Sequence, residues 1–371
     1  MKLAMSTEKI ELRDSVRRFL ADRAPLTRVR ELMEADNATD EQVWRHAAGQ
    51  LGLQAIAIAE EYGGAGFSFV EQAIIVEELG AALYTGPYLA SAVLAATALL
   101  ASSDEAAKRD LLPGIASGET VATLAFTEDD GSWEPDAIRL AASKHGDDWR
   151  LDGHKNFVLD GYTASLLLVL ARTDGGLSLF AVDGAADGLA RTSLATLDQT
   201  RKLGRCEFAT TPARLIGSPG DATAILNQVL DVAAIALAAE QLGGAQRALD
   251  MAVEYAKMRQ QFGRPIGSFQ AIKHRCADLL MEVESLRSAV IYAAAAVAED
   301  SPEVATLAAL VKALASDTYC HVAAENIQIH GGIGFTWEHD AHLYFKRAKS
   351  SELFLGDGNC HRERLATRIG I

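Results

Sequence analysis

From about Ala222 to Met258 the chain is rich in alanine and keeps a helical period, and as one helix it would be about 55 Å long. Small residues punctuate it: Ala233, Ala236, Ala239, Gly243 and Gly244 allow neighbouring helices to come close. Such a helix reads as the buried spine of a bundle, so the fold must supply other helices to cover it.

The rest of the sequence does so in blocks. Residues from about 6 to 118 read as helical, with Ile10, Val16, Phe19 and Leu20 at helical spacing, as in Val70–Leu79 and Leu89–Leu100. Tyr62-Gly63-Gly64-Ala65-Gly66 breaks this block as a loop. Between about Val121 and Ile216 the pattern changes to short apolar bursts: Val121–Phe126, Ile138–Ala142, Trp149–Leu151, Leu166–Leu170, Leu177–Val182 and Arg205–Ala209. Turn residues separate them at Gly146-Asp147-Asp148, Asp174-Gly175-Gly176 and Gly184–Asp187, the signature of an all-β segment. After Pro219-Gly220 the helical period returns. The expected class is α+β, with an N-terminal helical domain over 1–118, a β domain over 119–218 and a helical bundle over 219–371. At 371 residues the chain can bury two or three cores.

Charge narrows the partners. A net charge of −15 argues against nucleic acid or an anionic membrane. The uncharged runs Val232–Ala239 and Ser288–Ala298 fall short of the roughly 20 residues that span a bilayer. Lys9, Glu11, Arg13 and Asp14 interrupt any apolar leader, and Cys206, Cys276, Cys320 and Cys360 show neither ligand spacing nor a disulfide framework. A cytoplasmic, reduced protein is expected. Glu338-His339-Asp340-Ala341-His342 resembles a metal cluster, with His339 and His342 on one helix face, but it lacks a third clear ligand and no metal is expected. Lys346-Arg347-Ala348-Lys349 reads as a short basic face for a partner helix or for phosphates.

Two stretches carry the chemistry. Arg259 follows the long helix and offers a planar fork of donors suited to a pyrophosphate. Phe262 would give an adenine or ribose a flat apolar neighbour, and Gly263-Arg264-Pro265 turns the chain. Gln328 can donate and accept, while Gly331, Gly332 and Gly334 would let backbone amides approach an anion near a helix terminus.

Tyr255–Ile266 and Gln328–Phe335 together resemble the two C-terminal FAD motifs of the acyl-CoA dehydrogenase family. Ordered matches extend the resemblance over nearly the whole chain: Glu60–Gly64, Glu77–Gly80, Phe126-Thr127-Glu128 and Trp149–Lys155. The resemblance implies N-terminal helices, a central β-barrel-like domain and a C-terminal four-helix bundle that builds the oligomer. It also implies α,β-dehydrogenation of an acyl-CoA, with FAD as hydride acceptor and an electron-transfer flavoprotein downstream. In the family the two motifs reach across a subunit interface to the ADP half of a neighbour's FAD. Arg259, Phe262, Gln328, Gly331 and Gly332 are therefore the expected cofactor residues.

The family's other positions are altered. Leu355 stands where the resemblance places the catalytic glutamate, and Ala233 where some members carry it instead. Ala234 replaces an arginine for CoA, and Leu159 the threonine whose hydroxyl meets the flavin ring. A hydrocarbon removes no α-proton, so the chain is expected to have no catalytic residue of its own. Asp357 is the alternative relocated base, with Asp231 and Glu240 as further nearby carboxylates. The expectation is one half of a heterotetrameric dehydrogenase of lipid or steroid-side-chain catabolism, whose second subunit carries the glutamate. The alternatives are a homotetramer using Asp357 and a flavin-free scaffold.

Overall fold

The computed structural model describes residues 6–371 except Asp36, Ala38 and Asp147. In chain order, the first helices are α1 (Thr7–Arg23), α2 (Leu26–Met33), α3 (Glu41–Leu51) and α4 (Phe69–Ala81). A π-helical turn over Leu89–Ala95 then runs into α5 (Ala96–Ala101), followed by α6 (Glu105–Ala116). The strands are β1 (Ala122–Ala125), β2 (Ala141–His145), β3 (Asp148–Leu159), β4 (Leu166–Thr173), β5 (Gly176–Asp183), β6 (Leu189–Leu194) and β7 (Leu203–Ile216). The spine is α7 (Ala222–Met258), with the bounds that its periodicity predicts. A minimal hairpin, β8 (Gln260–Gln261) and β9 (Arg264–Pro265), leads to α8 (Gln270–Ala298), α9 (Val304–His330), α10 (Ala341–Leu353) and α11 (Gly358–Ile369). The chain forms two compact units, one of residues 30–68 and 85–233, the other of 1–29, 69–84 and 234–371.

The first unit is centred on the strands. β4, β2, β3, β7 and β5 pair in a ring that closes through β4–β5, with β1 added parallel to β4 and β6 antiparallel to β7. Closure removes the unpaired edges of those five strands, which matches the barrel-like expectation. Its interior is filled by Leu151, Val158, Leu167, Val169, Phe180, Val182 and Phe208. Two differences from the sequence reading have physical causes. β6 has mostly half-exposed residues and no apolar alternation, so its pairing with β7 leaves no signal in the sequence. β3 extends to Leu159 by absorbing two register shifts, one between Leu151 and Gly153 and one between Lys155 and Val158. The expected turn at Gly146-Asp147-Asp148 includes Asp147, outside the described residues; on either side of it His145 pairs with Asp148.

The second unit is helical, and close backbone approach explains its glycines. A Cβ on Gly243 of α7 would lie 1.8 Å from the Glu77 carbonyl oxygen on α4, and one on Gly80 would lie 2.0 Å from that of Glu240. Glu77 and Glu78 are also tied by arginines from two further helices. Arg17 meets Glu78 through two bonds of 3.0 and 2.8 Å, and Arg13 and Arg287 meet Glu77 at 3.0 and 2.5 Å. Both carboxylates are largely buried, so these charges are compensated where water is scarce.

Candidate functional site

At the end of α7 the Arg259 amide donates to the Tyr255 carbonyl, and the Ile266 amide returns to the Arg259 carbonyl, each at 2.8 Å. Between them Gln261 pairs with Arg264, leaving Phe262 and Gly263 as a two-residue turn with φ of +55° and +75°. Positive φ at both positions is the type I′ pattern. For phenylalanine the left-handed conformation costs about 1–2 kcal/mol. Phe262 is 91% exposed and lies edge-on to Phe269, at a centroid distance of 6.1 Å. A strained, exposed aromatic thus stands at the tip.

The second stretch closes α9. Gln328 is exposed, and Gly331 caps the helix with φ 67° and ψ −146°, a region open only to glycine. The helix terminus expected here is the C-terminal one. The glycines lie at a helix C-terminus, and the Gly331 amide already donates to the Ile327 and Gln328 carbonyls. What they offer is bare backbone: a Cβ on Gly331 or Gly332 would meet nothing within 4 Å. Among the described residues, neither the Arg259 guanidinium nor the Gln328 side-chain amide has a polar partner.

The two stretches meet through His330. Its ring stacks on Tyr255 at 4.2 Å and 28°, and His339 lies 4.3 Å from it, tilted by 49°. The His330 Nδ1 lies 2.8 Å from the Asn326 carbonyl, so it carries the proton. Beneath the stack, Ala252, Ala256 and Ile329 pack with Ile266 and Ile272. Nothing in the sequence pattern assigns His330 a role; its place between the Gln328 and Gly331 positions is the one available hint.

In the loop where the resemblance places the base, the position is held by leucine. Leu355 is 2% exposed with φ +62°. Buried Lys312 donates to the carbonyls of Glu352 and Gly356 at 3.1 and 3.0 Å and to the Ser316 hydroxyl at 2.8 Å. His361 Nε2 lies 2.8 Å from the Leu355 carbonyl, and burial pushes this imidazole down to about 4. Asp357 is the N-cap of α11, accepting from the Cys360 amide at 2.7 Å. Glu240 is in a buried ion pair with Arg347 at 3.1 Å. Ala233 and Ala234, on α7, are buried.

In the strand unit the polar groups near Leu159 are mutually satisfied. The Thr127 hydroxyl donates to the Asn156 carbonyl, and the Asn156 amide side chain donates to Asp129 at 3.1 Å. Asp129 also takes Arg205 at 2.8 Å, and Glu128 takes Lys155 at 2.8 Å together with the Arg139 and Leu140 amides. Burial pulls Lys155 down to about 8, although Glu128 pulls the other way. Leu159 is buried and its carbonyl accepts from Thr123. Phe157, its neighbour on the same stretch, is half-exposed at φ +56°.

Two charged stretches read differently in three dimensions. α10 starts only at Ala341, so His339 and His342 share no helix face. His339 accepts from the Ala341 amide, and His342 meets the edge of Trp337 at 4.8 Å. Among the described residues no group of His, Cys, Asp or Glu is arranged to hold a metal. The basic run is also no single face. Arg347 points inward to Glu240, Lys346 lies 4.1 Å over the Trp337 ring, and Lys349 pairs with Glu352.

Comparison with known proteins gives one answer along the chain. Models of the acyl-CoA dehydrogenase N-terminal, middle and C-terminal domains match residues 6–119, 123–210 and 222–370. Acyl-CoA dehydrogenase IpdE2 of Mycobacterium tuberculosis is 39% identical over 348 residues, covering 94% of this chain and 93% of the relative. Among solved structures, the ChsE4-ChsE5 complex of the same organism has a chain 31% identical with a TM-score of 0.90, covering 100% and 99%. A variant of the Tcur3481-Tcur3483 steroid ACAD is 34% identical with a TM-score of 0.87, covering 98% and 97%.

Proposed function

The chain belongs to the acyl-CoA dehydrogenase family, flavoprotein oxidoreductases whose cofactor is FAD, and we propose that it is the non-catalytic subunit of a heteromeric member. The observation that carries this reading is a division of hydrogen bonding. Arg259 and Gln328, in the stretches that resemble the ADP-binding motifs, are exposed and unpartnered among the described residues. Thr127, Glu128, Asp129 and Asn156, in the strand unit that resembles the flavin-ring side, spend their bonds on one another, on backbone and on Lys155 and Arg205. Polar side chains are thus left without partners in the first set and paired in the second.

The residues present fit the ADP half of FAD and not its ring. Arg259 would hold the pyrophosphate with paired donors, Gln328 and the bare backbone of Gly331 and Gly332 would lie along it, and Phe262 would cover the adenosine. A strained, exposed phenylalanine is otherwise a cost without a return. Bound FAD supplies hydride acceptance; this chain supplies no base to complement it. Leu355 has no proton acceptor, Asp357 is committed to its helix cap, and Glu240 to Arg347. The second subunit would carry the glutamate, the ring pocket and the CoA site, and electrons would pass to an electron-transfer flavoprotein. The ChsE4-ChsE5 complex and the steroid ACAD among the similar structures support a two-subunit enzyme and a bulky steroid-type acyl-CoA.

The test is Arg259→Ala in the complex purified through a tag on this chain. The account expects assembly to survive and FAD to be lost. Full FAD occupancy in the variant would remove Arg259 from the clamp.

A further inference from the structure

The two stretches assigned to the clamp are more than 60 residues apart in sequence, and the structure joins them through one aromatic column. Tyr255 lies in the last turn of α7, and its carbonyl anchors the amide of Arg259, the residue that follows the helix, at 2.8 Å. His330 lies between Gln328 and Gly331. The two rings stack at 4.2 Å with planes 28° apart, and the His339 ring, tilted by 49°, lies 4.3 Å from His330. His330 is held from turning: its Nδ1 bonds to the Asn326 carbonyl at 2.8 Å, and the Cβ of His330 leaves no room for a side chain on Gly334. Beyond the column, each clamp residue stands at a helix end or in a turn with no polar tie to the other stretch among the described residues. A pyrophosphate gripped at one end by Arg259 and at the other by Gln328 needs the spacing between those two ends to be fixed before it binds.

We propose that His330 is a positioning residue of the flavin clamp, its ring stacked on Tyr255 and in contact with His339 so that the Gln328–Gly332 helix end keeps its register against Arg259. The inference rests on the clamp reading above and adds a residue that touches no part of the cofactor. Losing an aromatic contact of this kind weakens affinity by up to about tenfold. The stack is made of rings and needs no titrating group, so phenylalanine should replace histidine where alanine cannot.

The experiment uses the intact complex, purified through a tag on this chain, with FAD removed and added back while flavin fluorescence is followed. His330→Ala is expected to weaken FAD binding about tenfold, and His330→Phe to restore it to within about twofold, with both complexes assembled at the native mass. Unchanged FAD affinity in His330→Ala would overturn the inference. So would a Phe variant as weak as the Ala variant, because the Asn326 hydrogen bond and not the stack would then be responsible. Arg259→Ala, measured alongside, separates the two layers. If it loses FAD while His330→Ala keeps it, the clamp stands and the positioning role falls. If Arg259→Ala also keeps FAD, the clamp itself falls.

Discussion

The Lys312 ammonium donates to the Gly356 carbonyl at 3.0 Å and thereby fixes the loop in which the family carries its base. The same ammonium holds the Glu352 carbonyl and the Ser316 hydroxyl, and Lys312 is 0% exposed. A buried charge persists when it satisfies acceptors that would otherwise have none. Lys312→Ala strands these acceptors, each at a cost of about 1–3 kcal/mol. The variant should unfold several degrees below the parent in a thermal scan. An unchanged unfolding temperature would show that water replaces the ammonium freely.

Leu355→Glu restores a carboxylate at the family's base position but not its surroundings. Ala234 brings no arginine, and Leu159 no hydroxyl. The chain alone should show no acyl-CoA dehydrogenation after this change, assayed with an artificial electron acceptor across acyl-CoAs of varied bulk. Turnover by Leu355→Glu alone would mean that one lost group, and not a correlated set, separates the chain from a complete enzyme.

Asp357 is placed as a cap, and its removal should read as one. Asp357→Ala frees the Cys360 amide and should cost about 1 kcal/mol of stability. Turnover of the complex should remain within about twofold of the parent. Abolished turnover with an intact fold would make Asp357 a relocated base.

His361 ties stability to pH. Its Nε2–H donates to the Leu355 carbonyl, and burial lowers its pKa from the ordinary 6.5 to about 4. The neutral form is the one the fold holds. Its contribution is complete above about pH 6.5 and falls away as the pH drops toward 4, amounting over that window to about 3 kcal/mol. Burial lowers His330 as well, with the same sign. The unfolding temperature should therefore fall between pH 7 and pH 5, and His361→Gln should flatten part of that slope. A parent protein with equal stability at both values would remove His361 from this role.

Legibility in the sequence followed burial and periodicity. The bounds of α7 are readable because its apolar and small residues repeat without interruption, and five of the strands in the ring announce themselves as apolar bursts. β6 is silent because Leu189–Leu194 lies half-exposed and takes its place from β7 alone. Arg259, Phe262, Gln328, Gly331 and Gly332 were legible as motif positions, while the direction of the helix end at Gly331 was not, since glycine serves either terminus. Charge was least legible. Lys346, Arg347 and Lys349 read as one basic face, but helix rotation sends Arg347 inward and its neighbours to separate partners. The Tyr255–His330 stack joins residues far apart in sequence, and no local pattern encodes such a contact.

The central claim is that the flavin site is shared between two different polypeptides. Native mass and FAD stoichiometry, measured together on the complex drawn from its own host by a tag on this chain, test it most directly. The account predicts two kinds of polypeptide and one FAD for each pair. A homotetramer of this chain with one FAD per subunit would contradict it and would return a complete active site to the chain itself.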